Sequence, residues 1–139
     1  MATTARQIYV NLPVKDLNRS VQFFSKVGFE FHPRFTDQNA ACMIIGENIF
    51  AMLLTEDFFK PFSKKAIADA SQTTEVIMAI SADSREAVDT LVERALAAGG
   101  YVSNDKTDHG FMYSWSFQDI DHHLWEVLYM DESAIDQVQ

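Results

Sequence analysis

Apolar and polar residues alternate from Ile8 to Val14, with Ile8, Val10 and Leu12 on one side and Tyr9, Asn11 and Pro13 on the other. That is the period of a half-buried strand. Asp16 then stands in an N-cap position, Leu17, Val21, Phe24 and Val27 recur at helical spacing, and Gly28 sits where a helix ends in a left-handed conformation. Three short apolar segments follow, Phe29 to Phe35, Ala40 to Ile45 and Ile49 to Thr55, the last two joined by a Gly46-Glu47-Asn48 turn. The pattern predicts a strand, a helix and three more strands. Between Glu56 and Thr74 it lapses into a connection with room for one short helix.

The second half repeats that order. A strand is predicted from Glu75 to Ser81, then a helix capped by Asp83 with Glu86 three residues on, a reciprocal capping arrangement. Val88, Leu91, Val92, Ala95 and Leu96 share one face of this helix, which stops at Gly99-Gly100. Strands follow around Tyr101 to Ser103, Phe111 to Gln118 and His123 to Met130, the last two joined by Asp119-Ile120-Asp121-His122. The two aspartate caps, and likewise the two helix-stopping glycines, are separated by about half the chain. This internal duplication predicts an α+β fold of two tandem βαβββ modules, residues 8–55 and 75–131, within one domain spanning 1–139. Paired modules can wrap their strands into a cup-shaped, incompletely closed mixed sheet with the helices outside, and the inside of the cup is where a small-molecule ligand would sit.

Composition narrows the function classes. The net charge of -9 repels a phosphate backbone, and no basic cluster exceeds Lys64-Lys65, so nucleic acid is not an expected partner. No apolar run approaches the length of a membrane helix, and Met1 to Gln7 does not read as a signal peptide, so a cytoplasmic protein without a membrane partner is expected. Cys42 is the one cysteine, set among Ala40, Ala41, Met43 and Ile44, which reads as a buried thiol in a reducing compartment. With no basic neighbour in sequence it makes a poor nucleophile. A glycine-rich phosphate loop, a Gly-x-Ser-x-Gly elbow and a His-Glu-x-x-His pair are all missing from the sequence.

The opening strand, Asp16-Leu17, Ser20, the pair Phe23-Phe24 and then Gly28-Phe29 resemble the start of a vicinal oxygen chelate protein, the superfamily of glyoxalase I, bleomycin-resistance proteins and extradiol dioxygenases. Asp119-Ile120-Asp121-His122-His123-Leu124-Trp125-Glu126 is similar to that family's Asp-Pro-Asp-Gly-His-x-x-Glu turn and final strand, with His122 in place of glycine. The likeness runs from about Ile8 to Asp131 and is nearest the glyoxalase-related branch. It implies a homodimer. In metal-dependent members, a His or Gln on the first strand of each half and a Glu on the last converge on a divalent cation. Carried over, those positions fall on Tyr9, near Leu53, on Ile77 or Val76, and on Glu126, and only Glu126 matches. The resemblance therefore implies no metal ligand set and no cofactor, since one carboxylate beside Leu and Ile lacks the shell a divalent metal needs.

Glu126 has two readings. On the cup face between Leu124 and Leu128 it is a candidate acid or base; alternatively it is a vestigial carboxylate hydrogen-bonded by Tyr9 or Asn11. Tyr9 and Asn11 are candidate ligand-binding residues on the inward face of strand one, or simply partners of Glu126. Leu53 joins them by its family position. Phe111, Tyr113, Trp115 and Phe117 form an aromatic strand face, so Tyr113 and Trp115 read as a ligand-binding wall, as core, or as a dimer interface. The histidines lack ligand spacing; His122 and His123, adjacent on the chain, point apart. Two functions are left: a glyoxalase-related metabolite binder or enzyme without true lactoylglutathione lyase activity, or a metal-free bleomycin-resistance-type protein that sequesters its ligand. A metal-dependent lyase, isomerase or dioxygenase using Glu126 is the further alternative.

Overall fold

The computed structural model describes residues 2–133, so both ends of the single domain expected over 1–139 lie outside the described residues. Two compact units divide the chain, Met1–Ala68 and Asp69–Gln139. The first is a βαβββ module and the second repeats it with one further short strand, both of the predicted α+β class.

In the first unit, strand β1 (Ile8–Val14) leads to helix α1 (Leu17–Val27), then β2 (Glu30–Phe31), β3 (Ala40–Gly46) and β4 (Ile49–Thr55). The sheet order is β1-β4-β3-β2, with β1 parallel to β4 and the other pairs antiparallel. The α1 signals work as predicted. The Asp16 carboxylate accepts from the Arg19 N–H at 3.2 Å, and Gly28, at φ 122°, closes the helix by donating to the carbonyls of Phe24 and Ser25. Leu17, Phe23, Phe24 and Val27 are buried. Each such side chain stabilises by about 1.5–3 kcal/mol, against about 1 kcal/mol for a cap, so packing against the sheet rather than local propensity holds this helix. Phe23 joins the buried face while Val21 falls at its margin.

Strand two is shorter than the Phe29 to Phe35 segment predicted for it. His32 still donates its N–H to the Cys42 carbonyl at 2.9 Å, but Pro33 has no N–H to continue the ladder, and Pro33–Phe35 turns into a 3-10 helix. The connection after β4 holds the expected short helix, α2 (Glu56–Phe59), followed by a 3-10 turn at Lys60–Phe62.

The second unit comprises β5 (Ile77–Ser81), α3 (Arg85–Ala97), β6 (Tyr101–Val102), β7 (Thr107–Asp108), β8 (Met112–Gln118) and β9 (Leu124–Met130). The sheet runs β5-β9-β8-β6, with β7 also on β8 and β5 parallel to β9. The α3 cap is Ser84 and not Asp83: the Ser84 hydroxyl accepts from the Ala87 N–H at 3.0 Å, and with alanine at that position no reciprocal capping box forms. β5 begins at Ile77 and not Glu75, and β7 was not predicted. It exists because residues 103–106 bulge out of the edge strand, and the Ser116 hydroxyl ties off the bulge by accepting from the Asn104 N–H at 3.0 Å. Among the described residues no helix is long and apolar enough to cross a membrane.

The turn between β8 and β9 is organised by Asp119, 1% exposed. Its Oδ1 accepts from the backbone N–H groups of Asp121 (2.9 Å) and His123 (3.0 Å), and its Oδ2 from the Trp125 indole N–H at 2.9 Å. Burial pushes the Asp119 carboxyl above the usual carboxylate range, while His123, the indole and the two backbone donors pull it back. His122 completes the turn at φ 68°, the left-handed region its position as a glycine replacement required. Asp119→Asn keeps one oxygen for the backbone but turns an amide donor against the indole, and a loss of about 1–3 kcal/mol is expected. Trp125→Phe strands Oδ2 and should cost less when combined with Asp119→Asn than alone. Strictly additive losses in urea denaturation would show that the two groups do not act together.

Candidate functional site

Strand register decides which side chains share a face. In the second unit Glu126 pairs with Ala79 on β5 and Ser116 on β8, while Trp125, Val127 and Tyr129 alternate to the other side. Trp125 and Val127 are fully buried, and α3 packs on β8 and β9. Glu126 therefore stands on the face away from the helix, with Leu124 and Leu128 along its own strand, as the sequence pattern predicted. Among the described residues of this unit it is the only carboxylate that the strands place there. Its lateral neighbours are small, and the Ser116 hydroxyl is already engaged at the bulge. Among the described residues of this unit, the Glu126 carboxylate has no hydrogen bond or ion pair.

Tyr113 and Trp115 lie on the opposite face. Tyr113 pairs with Tyr129 and Trp115 with Val127, so they share the helix side with Phe117 and Trp125 and are not brought together with Glu126. The Tyr113 hydroxyl donates to Asp89 on α3 at 2.6 Å; burial first, and this bond second, push its pKa up to about 12. Lys106 lies 3.5 Å from Asp89 and 4.6 Å from the Trp115 ring centroid. Arg85 spans the Tyr113 and Tyr129 rings and donates to the Gly110 carbonyl at 2.8 Å and to Asp108 at 3.3 Å. The Gly110 N–H, followed by Arg85, holds the Asp108 carboxyl below its usual range. Those side chains anchor the β7 edge to α3. The aromatic strand is thereby engaged inside its own unit.

In the first unit Tyr9 and Asn11 lie on the face away from the core residues Leu12 and Val14, and both are exposed. The Tyr9 ring stacks on Phe50 at 5.2 Å and 13°, and its hydroxyl donates to Gln7 at 2.6 Å. The Asn11 amide donates to the Tyr9 carbonyl at 3.3 Å. Leu53 pairs with Leu12 on the buried side, fully inaccessible, and is not on the Tyr9 face. The side chain beside Asn11 there is Met52. Sequence reasoning missed Met52 and Phe50 because β4 is apolar at every position from Ile49 to Leu54, so alternation carries no face information until the register with β1 is known.

Ile77, at the other ligand position carried over from the resemblance, is an exposed aliphatic on edge strand β5. No group of three or more His, Cys, Asp or Glu that could hold a metal occurs among the described residues. His32 caps the Pro33–Phe35 turn through Nδ1, His122 stacks on Tyr101 at 4.4 Å and contacts Gln118 at 3.2 Å, and the His123 carbonyl accepts from the Asp119 N–H while its own N–H donates to the Asp119 carboxylate. Cys42 is buried, which pushes its thiol pKa up and keeps it protonated.

A family model described as Bleomycin resistance protein-like N-terminal matches residues 6–46. No curated protein sequence matches the chain. Among solved structures, the hypothetical protein SA1046 from S. aureus is similar over 91% of this chain and 95% of its own, with 27% identity and a TM-score of 0.76. A glyoxalase-related enzyme from Fulvimarina pelagi shares 19% identity at a TM-score of 0.76, covering 90% of this chain and 88% of that one. The fosfomycin resistance protein FosX from Listeria monocytogenes shares 21% at 0.66, over 91% and 94%.

The Tyr113 bond carries an alkaline signature. Its phenol titrates near 12 in the folded chain against an ordinary 10.0, so the folded state keeps a proton that the unfolded state releases. The stability it contributes is complete below pH 10.0 and falls as the pH rises from there through about 12. Tyr113→Phe should abolish that component of alkaline destabilisation. Phenolate absorbance in which all four tyrosines titrate together at the ordinary value would contradict the assignment.

Proposed function

We propose that this chain, which matches the bleomycin resistance protein-like N-terminal model over residues 6–46 and shares its fold with a glyoxalase/bleomycin resistance/dioxygenase family structure, is a glyoxalase-related protein of the vicinal oxygen chelate superfamily that binds a small metabolite without lactoylglutathione lyase activity. The observation that carries this reading is the isolation of Glu126 on the open face of the second sheet, a carboxylate with no partner in its unit among apolar and small neighbours. Such a group is available to accept a hydrogen bond, or a proton next to a carbonyl, from a bound ligand.

The donor set does not fit the divalent cation of metal-dependent members. Tyr9 is engaged by Gln7, Leu53 is a core aliphatic, Ile77 has no donor atom, and Glu126 is left as a lone carboxylate. The match to the bleomycin-resistance-like N-terminal model favours a second reading, in which the ligand is sequestered and not turned over. Thermal-shift measurements with metabolites and antibiotics, followed by turnover assays on the hits, separate the two.

The homodimer remains part of the proposal, though its expected aromatic surface does not: α3 and its ion pairs occupy that face. Exposed apolar residues lie instead at Ile8, Ile49, Val76 and Ile77, and at Tyr101 and Val102. A monomer mass in light scattering at micromolar concentration would overturn it.

Two further outcomes are expected. Elemental analysis after mild purification should find no stoichiometric Ni, Zn, Mn or Fe; near one equivalent per chain, lost in Glu126→Gln, would refute the donor argument. Glu126→Gln should leave stability at pH 7 within about 0.5 kcal/mol of the parent while removing ligand-induced stabilisation. A loss of about 1–3 kcal/mol that disappears towards acid pH would instead mark Glu126 as a structural anchor.

A further inference from the structure

Charge is divided unequally along the chain. Met1–Ala68 carries eight Lys or Arg against six Asp or Glu, whereas Asp69–Gln139 carries three against fourteen. The second unit thus holds more than the whole net charge of -9. Its three cations are all drawn to the helix side. Arg94 lies on α3, Arg85 is held by Asp108, Gly110 and the Tyr113 and Tyr129 rings, and Lys106 by Asp89 and Trp115. Among the described residues none is left for the strands of the open face, where Glu126 is the sole formal charge. Its lateral neighbours Ala79 and Ser116 leave room around the carboxylate, and Leu124 and Leu128 flank it along the strand. The one imidazole at this face, His122, is occupied by Tyr101 and Gln118 over the β6 edge.

From this geometry we infer that the open face around Glu126 selects a small organic cation, an ammonium group carried on an apolar body, over anionic metabolites. The inference rests on the reading that this face binds a small molecule, and it names the ligand class. The carboxylate supplies the one charge-assisted hydrogen-bond acceptor, the aliphatic neighbours take the body, and the field of an acidic unit raises the local concentration of cations while repelling anions.

Benzylamine as its ammonium, benzyl alcohol and phenylacetate, three probes of similar body and different charge, test it. Methyl chemical shifts of Ile77, Leu124 and Leu128 report occupancy of the face in the full chain. Benzylammonium should bind at least about tenfold more tightly than benzyl alcohol, a modest demand on one ion pair near a protein surface. Phenylacetate should bind most weakly. The preference should shrink with added salt and vanish in Glu126→Gln, yet persist in Glu93→Gln, an equal charge change on exposed α3. Phenylacetate binding as well as benzylammonium, or a preference that survives Glu126→Gln, overturns the cation assignment while leaving the ligand-binding face intact. If none of the three probes shifts those methyls, the ligand-binding reading fails and the assignment with it.

Discussion

The second unit depends on one buried carboxylate. Asp119 gathers two backbone N–H groups and the Trp125 indole around its two oxygens, and this fixes both the path of the turn and the side of the sheet to which Trp125 points. Strand residues alternate, so driving Trp125 into the core under α3 drives Glu126 to the opposite face. A slip of one residue would exchange them, burying a charge and exposing the largest core side chain. The hydrogen bonds of Asp119 exclude that slip. Burial works against the ionised form, and the convergence of donors offsets it.

The same alternation separates two kinds of polar chemistry. On the helix side, Arg85, Lys106, Asp89, Asp108 and Tyr113 pair with one another and with aromatic rings, pinning a bulged edge strand to α3. Those groups are consumed by structure. On the open side the hydroxyl nearest Glu126 is spent on the bulge, and the carboxylate remains available. Availability, more than residue type, distinguishes the candidate site, because the unit is rich in carboxylates and most of them lie on loops and the helix.

The fold is shared with a glyoxalase-related enzyme from Fulvimarina pelagi and a fosfomycin resistance protein from Listeria monocytogenes, at identities of 19% and 21%. Similarity at that level establishes architecture, while function lies in the side chains mounted on it. Here the face of the second sheet away from α3 carries one carboxylate with apolar and small neighbours.

The amino-acid sequence by itself determined the order of strand, helix and further strands repeated in each half, the α1 cap at Asp16, the stop at Gly28 and the strand face shared by Leu124, Glu126 and Leu128. All are local: they follow from periodicity, from the hydrogen-bonding of a cap, or from the conformational freedom of glycine. The tertiary structure decided the rest. Pro33 cut short a strand whose apolar composition ran on, and Ser84 took the cap from its neighbour Asp83 because its hydroxyl meets the Ala87 N–H. Leu53 went to the core and Met52 to the open side, and Tyr113 and Trp115 went under α3 on the face opposite Glu126. These outcomes rest on strand register and on which side a helix covers. In a strand apolar on both faces, or alternating between aromatic and polar residues, the chain's own period leaves two equal choices, and only pairing with strands distant in sequence selects one.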